Sequence, residues 1–500
     1  MQKKQTILVV ASLLVVVLSV TLAYFTAQII GEGKNISVSS ADLKIVFTDS
    51  DGGINGTNIE PGWSNSKTFT VKNESNGTYK YDIIIKDLVN TFKTYKYLEY
   101  KITSTDGGYN MTDYSYLPKS SNAEDVALAY EVSIDKGKTH TYTIEIKYVN
   151  DESVDQSIDM GKSLSGTIYI REFTKPTMKL TDKLMADNPT IGPRTTFTAF
   201  TETNTGKLYK ATEQIGTNPV KDIYYFAGDA KNNWVKFAGF YWRIIRTNHD
   251  RSIKLLYAGT SPDTTNGYIG ISVFNTTSND PMYVGYKYGT TGSLENNRLN
   301  TNDSTIKTYV DNWYKNNLID YTKYLSKDAV YCNDRNLASG ETYSTTNGFN
   351  YASDERIYTN KQPTYNCTNI SDAFSVNNTS AKLDYPVGLT TIDELAFAGG
   401  QAATNLTAPY AWYYTNANEE SITGKTTFWA LSPRRWDGYY SRVWYASGSS
   451  FPGFLNDGST DFSLALRPSV SLLSCNLISR GDGSPGNPYT IYIGSGVCEE

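Results

Sequence analysis

Between residues 35 and 173, apolar and polar positions alternate with a period of two. Lys67-Thr-Phe-Thr-Val71, Leu98-Glu-Tyr-Lys-Ile102 and Tyr142-Thr-Ile-Glu-Ile-Lys-Tyr148 alternate cleanly, whereas Tyr79-Lys-Tyr-Asp-Ile-Ile-Ile85 alternates and then runs apolar. Successive side chains of a strand point to opposite faces, so this pattern predicts strands with one buried face. Turn signals at Asp51-Gly-Gly53, Pro61-Gly62 and Lys136-Gly137 punctuate them. The expected product is a β-sandwich over residues 28–173.

The alternation stops at 174–215, which is rich in Thr, Asn, Gly and Pro. That composition predicts a linker carrying one short helix near Leu180–Ala186. A second domain is expected over 216–500. It opens with a meander of Trp234–Ala238, Phe240–Ile245 and Ser252–Tyr257, turning at Gly239 and at Asn248–Asp250. Ser304–Leu318 has helical spacing, with Ile306, Tyr309, Val310 and Trp313 on one face and Ser304 or Asp303 as cap. Thr391-Ile-Asp-Glu394 reads as a capping box ahead of Leu395–Ala398, with Gly399-Gly400 as the stop. Helices among strands make this domain α+β, and the whole chain mainly β.

One stretch stands apart. Residues 434–461 hold three Arg, two Trp, three Tyr and two Phe among Ser, Gly, Asp and Asn, and lack Lys, Glu and Ile. Rigid aromatics supply contact area at low entropic cost and Arg supplies a planar donor fork, the mixture found in recognition loops. The hydrophobic strands expected at Thr427–Leu431 and Phe462–Arg467 frame it. Arg434, Arg435, Trp436, Asp437, Tyr439, Tyr440, Arg442, Trp444, Phe451, Phe454 and Asn456 are therefore the candidate ligand-binding residues. Strand alternation would put Arg442 and Trp444 on one face, with the small Val443 turned to the core. The plainer alternative is a Tyr-rich β-hairpin in a chain with 40 Tyr.

Composition narrows the class. The balance of 46 Lys+Arg against 51 Asp+Glu, without a basic block, disfavours nucleic acid as a partner. Lys3 and Lys4, the apolar run from Ile7 and the small-residue site Thr21-Leu22-Ala23 read as a secretory signal within residues 1–27. Contact with the membrane is then expected only in transit, although a retained anchor is the other reading. Cys332, Cys367, Cys475 and Cys498 all lie in the last third of the chain. In an exported protein they predict two disulfides, and nearest-neighbour pairing joins 332 to 367 and 475 to 498. Sequons such as Asn35, Asn73, Asn76, Asn275 and Asn405 arise readily in an Asn/Thr-rich chain and carry no assigned function.

Two resemblances add to this reading. Thr21-Leu-Ala-Tyr-Phe25, Ala41-Asp-Leu-Lys-Ile45, Ile59-Glu-Pro-Gly62, Phe69-Thr-Val-Lys-Asn73 and Gly166-Thr-Ile-Tyr-Ile170 resemble the TasA/camelysin family of exported biofilm-matrix proteins. That resemblance implies a jelly-roll or immunoglobulin-like sandwich and homo-oligomers formed by strand exchange. Asn232–Ala238, Tyr241–Ile245, Cys332-Asn-Asp-Arg335, Tyr385–Thr390, Leu431-Ser-Pro433, Leu466-Arg-Pro468 and Asn487-Pro-Tyr489 resemble an uncharacterised module of secreted Firmicute proteins. That module is similar to the C-type-lectin-like fold of formylglycine-generating enzymes and of the variable proteins of diversity-generating retroelements.

Catalysis finds little support. The chain has two histidines; His140 lies beside a strand and His249 in a turn, and no nucleophile can be assigned to either. Asp393 and Glu394 point about 100° apart on a helix, which suits capping better than a glycosidase pair. The cysteines fit bridges rather than an active-site pair. Asp49-Ser-Asp-Gly52 lacks the later ligands of a calcium loop. Arg467 and Trp429 read as structural. No catalytic residue, metal or cofactor is expected. The favoured function is a secreted or surface-attached bacterial protein that binds an unknown protein or glycan. A fibre-forming matrix subunit and a surface-glycan-active enzyme are the alternatives.

Overall fold

The computed structural model describes residues 25–31, 35–39, 44–49, 54–117, 120–197, 200, 203–204, 206–448, 451–493 and 498. The expected signal segment before Phe25 and the turn at 50–53 lie outside these residues. The chain divides into two compact units between Lys175 and Pro176. Among the described residues no helix is long and apolar enough to cross a membrane.

The first unit is built from two sheets. Its strands are β1 (Phe25–Gly31), β2 (Asn35–Ser39), β3 (Lys44–Asp49), β4 (Ile54–Ile59), β5 (Ser64–Asn73), β6 (Tyr79–Asn90), β7 (Leu98–Ser104), β8 (Ser115–Tyr116), β9 (Ser120–Ile134), β10 (Thr139–Tyr148) and β11 (Ser163–Glu172). One sheet runs β4-β1-β11-β6-β9 and the other β2-β3-β5-β10-β7-β8. The period-two pattern of β10 becomes strict burial alternation: His140, Tyr142, Ile144, Ile146 and Tyr148 are buried. They meet Tyr81, Ile83 and Ile85 of β6 and Leu164, Ile168 and Ile170 of β11 in one core, which makes a sandwich. β1 pairs in parallel with β11 and antiparallel with β4, filling a slot inside its sheet.

The second unit begins earlier than the sequence pattern suggests. From Pro176 on, the described residues of the stretch expected to be a linker belong to it. Leu180–Asp187 is a helix whose Leu180 and Leu184 are buried. Lys207–Glu213 is a strand paired antiparallel with Lys221–Tyr225, and its Leu208 joins the same core. Thr and Asn dilute the apolar signal here, and three separated leucines suffice to anchor the segment.

The expected meander forms. Trp234–Phe237, Phe240–Thr247 and Ile253–Gly259 pair antiparallel in a ten-stranded sheet that continues through Pro468–Leu472 to Val387–Leu389. Ala238 and Gly239 both take positive φ, as a two-residue hairpin turn requires. The long helix spans Thr305–Asn317, with the Ser304 hydroxyl accepting from the Lys307 amide. Its buried face carries Ile306, Val310 and Tyr314, while Tyr309 is exposed, one position off the expected stripe.

A second sheet of this unit holds the stretch singled out in the sequence. Its order is Ile271–Val273, Ser463–Ala465, Phe428–Trp436, Ser441–Ala446 and Leu455–Ser459, with Phe349–Asn350 paired to Phe428–Trp436. Both sheets feed one large apolar core. The disulfides join Cys332 to Cys367 and Cys475 to Cys498, with S–S distances of 2.04 and 2.00 Å.

Candidate functional site

The described residues of 434–461 contribute to three antiparallel strands. Ser441–Ala446 lies between Phe428–Trp436 and Leu455–Ser459, with Arg442 opposite Arg435 on one side and Ser459 on the other. Covered on both faces at its middle, this strand buries Val443 and Trp444, while Arg442 and Tyr445 keep partial exposure. Trp444 and Val443 are both 0% exposed, so the expected division into a core face and a ligand face fails. Trp444 donates from its indole to Ser353 Oγ at 3.0 Å and lies beneath the Arg434 guanidinium, 4.4 Å from the ring. Trp436 is buried as well. Neither tryptophan can face a ligand.

The arginines are organised by a carboxylate that the sequence does not advertise. Asp457, almost wholly buried, accepts from Arg434 Nη1 and has Arg435 Nη2 at 3.3 Å and Arg442 Nη1 at 3.6 Å. Arg434 also donates to Asp354 at 2.7 Å and to Asn456 Oδ1 at 2.9 Å, so both Arg434 and Asn456 belong to the scaffold. Asp437 pairs with Arg442 and accepts from the amides of Tyr439 and Tyr440, at 3.0 and 2.7 Å. Those bonds together hold its carboxyl below the ordinary range against the cost of burial. Three guanidinium groups thus meet three carboxylates, Asp354, Asp437 and Asp457.

Four candidate residues keep a solvent-facing part on this locked base. Tyr439 is 77% exposed and Tyr440 49%, at the tip beside Asp437-Gly438. The Arg435 and Arg442 side chains remain 39% and 25% exposed. Tyr358, exposed and 5.4 Å from Arg434, joins them from the helical segment that carries Asp354. Sequence reasoning missed Asp354 and Tyr358, because no local pattern links residues about 80 positions from Arg434, and it passed over Asp457 inside the stretch itself, because only the strand pairing shows which arginines it meets.

Phe451 and Phe454 belong elsewhere. Their rings lie 5.8 Å apart, tilted at 43°, in the segment after Ala446, at the opposite end of the strand from Tyr440. Six residues at about 3.3 Å rise put the two tips roughly 17 Å apart along the strand. The eleven candidates therefore do not form one surface.

Other ionisable groups sit deeper. Glu394 closes the expected capping box with Thr391, and its Oε1 also accepts from Arg246 Nε (2.9 Å) and Lys254 Nζ (2.7 Å). Asp393 pairs with Arg356, which also binds Asp334. Glu213 binds Arg246 at 2.9 Å and His249 Nδ1 at 3.2 Å. Burial opposes its ionisation, yet these two partners hold its carboxyl at about 2. His140 is buried 2.8 Å from Tyr81 Oη, and burial lowers its pKa. Arg467, fully buried, donates to the carbonyls of Tyr257 and Tyr413, while Trp429 is core and donates to the Ser272 carbonyl. Asp303, Asp311 and Asp384 converge as metal ligands would, but Lys307 Nζ stands among them at 3.1, 2.5 and 2.7 Å. The ammonium already supplies the positive charge there. No protein-family model matches the chain, and no curated protein matches it.

Proposed function

We propose that this is an exported or surface-displayed protein that binds an extracellular ligand through the Tyr439–Tyr440 tip and the adjoining Arg435 and Arg442. One observation carries the reading: large exposed aromatics stand on a base fixed by buried ion pairs and tryptophans. Such a base costs little conformational entropy when a ligand is engaged. Arg forks and tyrosine faces suit sugars and protein surfaces bearing acidic groups. The two disulfides and the resemblance of both halves to secreted modules support export. The C-type-lectin-like fold, with the sandwich as a matrix or attachment module, is part of this proposal.

The test is an array of cell-surface glycans and extracellular proteins probed with the exported chain. Replacing Tyr439 and Tyr440 together by Ala should abolish capture while leaving the melting temperature unchanged. Capture that survives in the folded double variant would refute the site.

A fibre-forming matrix subunit is the second reading. β1 occupies a slot between β4 and β11 that an equivalent strand of another subunit could fill. Concentration-dependent filaments that disappear when residues 25–31 are deleted would favour it.

A further inference from the structure

In the first unit, the loop of residues 105–110 that follows β7 rests on the phenol of Tyr142. A Cβ at Gly108 would stand 2.4 Å from Tyr142 Oη, so only glycine lets the backbone come this close. The Tyr109 amide donates to that same oxygen at 3.1 Å. Behind it runs a buried relay. Tyr142 Oη is 2.6 Å from Tyr81 Oη, which is 2.8 Å from His140 Nδ1. Tyr81 and Tyr142 are 0% exposed and His140 5%.

Donors and acceptors fix the direction of the relay. With a neutral imidazole bare at Nδ1, Tyr81 donates to His140, Tyr142 donates to Tyr81, and Tyr142 Oη still accepts from Tyr109. Every group is satisfied. An imidazolium carries hydrogen on both nitrogens, so Nδ1 must donate to Tyr81, and Tyr81 must then donate to Tyr142. Both partners of Tyr142 Oη would then be donors, and its own hydrogen would have no acceptor among them. A buried donor left unmade is costly, and the longest bond of the relay, at the loop, is the one that can yield.

The surrounding charges set where this happens. Burial pushes the pKa of His140 below 6.5, more than Asp106 of the loop and Asp135 after β9 pull it up. Lys72 of β5 and Lys138 before β10 are exposed, and Lys72 is paired with Glu74 at 3.0 Å. Asp106 fastens the other end of the loop, accepting from the Thr141 amide with both oxygens at 2.8 Å. Burial opposes its ionisation, yet that amide and the Ser104 hydroxyl hold its carboxyl below 3.8. The Asp106 end therefore stays bonded in the pH range where His140 charges.

We infer that His140 is an acid-sensitive latch: a proton taken up at Nδ1 reverses the relay, breaks the Tyr109–Tyr142 bond and lifts the Tyr109 end of the loop off the sandwich. The fold favours the neutral ring, so this contribution is present above 6.5 and is lost as pH falls through the folded value.

Amide hydrogen exchange of the full chain, corrected for intrinsic rates, would be followed from about pH 7.5 to about pH 4.5. The ring signals of the two histidines would be read beside it by NMR, told apart with His249→Asn. His140 should titrate below 6.5, and protection of the Tyr109 amide should fall about tenfold or more as it does. In His140→Asn, whose side-chain oxygen can accept from Tyr81 and never charges, protection should hold across the range. Tyr142→Phe, which keeps the ring in the core but removes the acceptor, should free the Tyr109 amide already at neutral pH. A His140 ring that titrates at or above 6.5, a Tyr109 amide equally protected before and after His140 charges, the same pH step in His140→Asn, or full protection in Tyr142→Phe would each overturn the latch.

Discussion

Arg435 and Arg442 stand directly opposite each other across the hairpin, two like charges at a register position where they repel. Asp457 reaches both from the third strand, at 3.3 and 3.6 Å, and also holds Arg434. Asp457→Asn should therefore cost roughly 1–3 kcal/mol in urea unfolding, because it removes the carboxylate that all three guanidinium groups share, while Arg434 keeps Asp354 and Arg442 keeps Asp437. Asp437→Asn, at a half-buried position, should cost about 1 kcal/mol or less. Equal losses from the two would mean that Asp457 is not the keystone of the cluster.

Trp444 and Trp436 should behave as core residues. Either one replaced by Ala is expected to destabilise the second unit by about 3–5 kcal/mol. Tyr439→Ala should stay within about 0.5 kcal/mol, yet weaken ligand capture roughly thirtyfold if the tip is a hot spot. Thermal melts of the three variants, read beside binding, separate scaffold from surface.

The position of the unit boundary can be tested by truncation. A polypeptide beginning at Pro176 should melt cooperatively. One beginning at Asn218 loses Leu180, Leu184 and Leu208 from the core, together with the strand paired to Lys221–Tyr225. It should aggregate or bind a hydrophobic dye. Identical melts for the two would return 176–215 to the status of a linker.

Acid should act through Glu213. Its carboxyl titrates at about 2 in the folded chain against an ordinary 4.5. The folded value is depressed, so its contribution to stability is present above pH 4.5 and is lost as pH falls towards 2. The melting temperature should fall across that window, and Glu213→Gln should flatten this component. His249 has the opposite sign: burial lowers its pKa, but Glu213 raises it above 6.5 overall. Its contribution is complete below 6.5 and is lost as pH rises through the folded value.

The Cys332–Cys367 bridge closes a separation of 35 residues, which in the chain-entropy treatment is worth about 3–4 kcal/mol. The double Cys→Ala variant should lose stability of that order in chemical denaturation. A loss near zero would show that the reduced chain already holds these segments together.

Much of the fold could be read from local pattern, and the reasons are physical. The alternation in Tyr142–Tyr148 maps directly onto one buried face of β10, and Thr391 with Glu394 forms the capping box its spacing implies. Both signals are carried by residues a few positions apart. The site was less legible, because exposure depends on distant chain. Trp444 has the composition of a contact residue, yet Ser353 and Arg434 cover it. Glu394 reads as a cap, and only the fold adds Arg246 and Lys254 to its carboxylate. The leucines of 180–208 lack a period strong enough to stand out among Thr and Asn, although all three reach the core.

The six-residue strand Ser441–Ala446 sets a minimum size for what could touch both of its ends. A ligand meeting Tyr440 and Phe451 at once must span roughly 17 Å, about the reach of a three- or four-ring oligosaccharide or one face of a small protein. A single sugar can occupy only one tip. The two loops could therefore change their residues independently, or hold two ligands at once, while Trp444 stays buried in the strand between them.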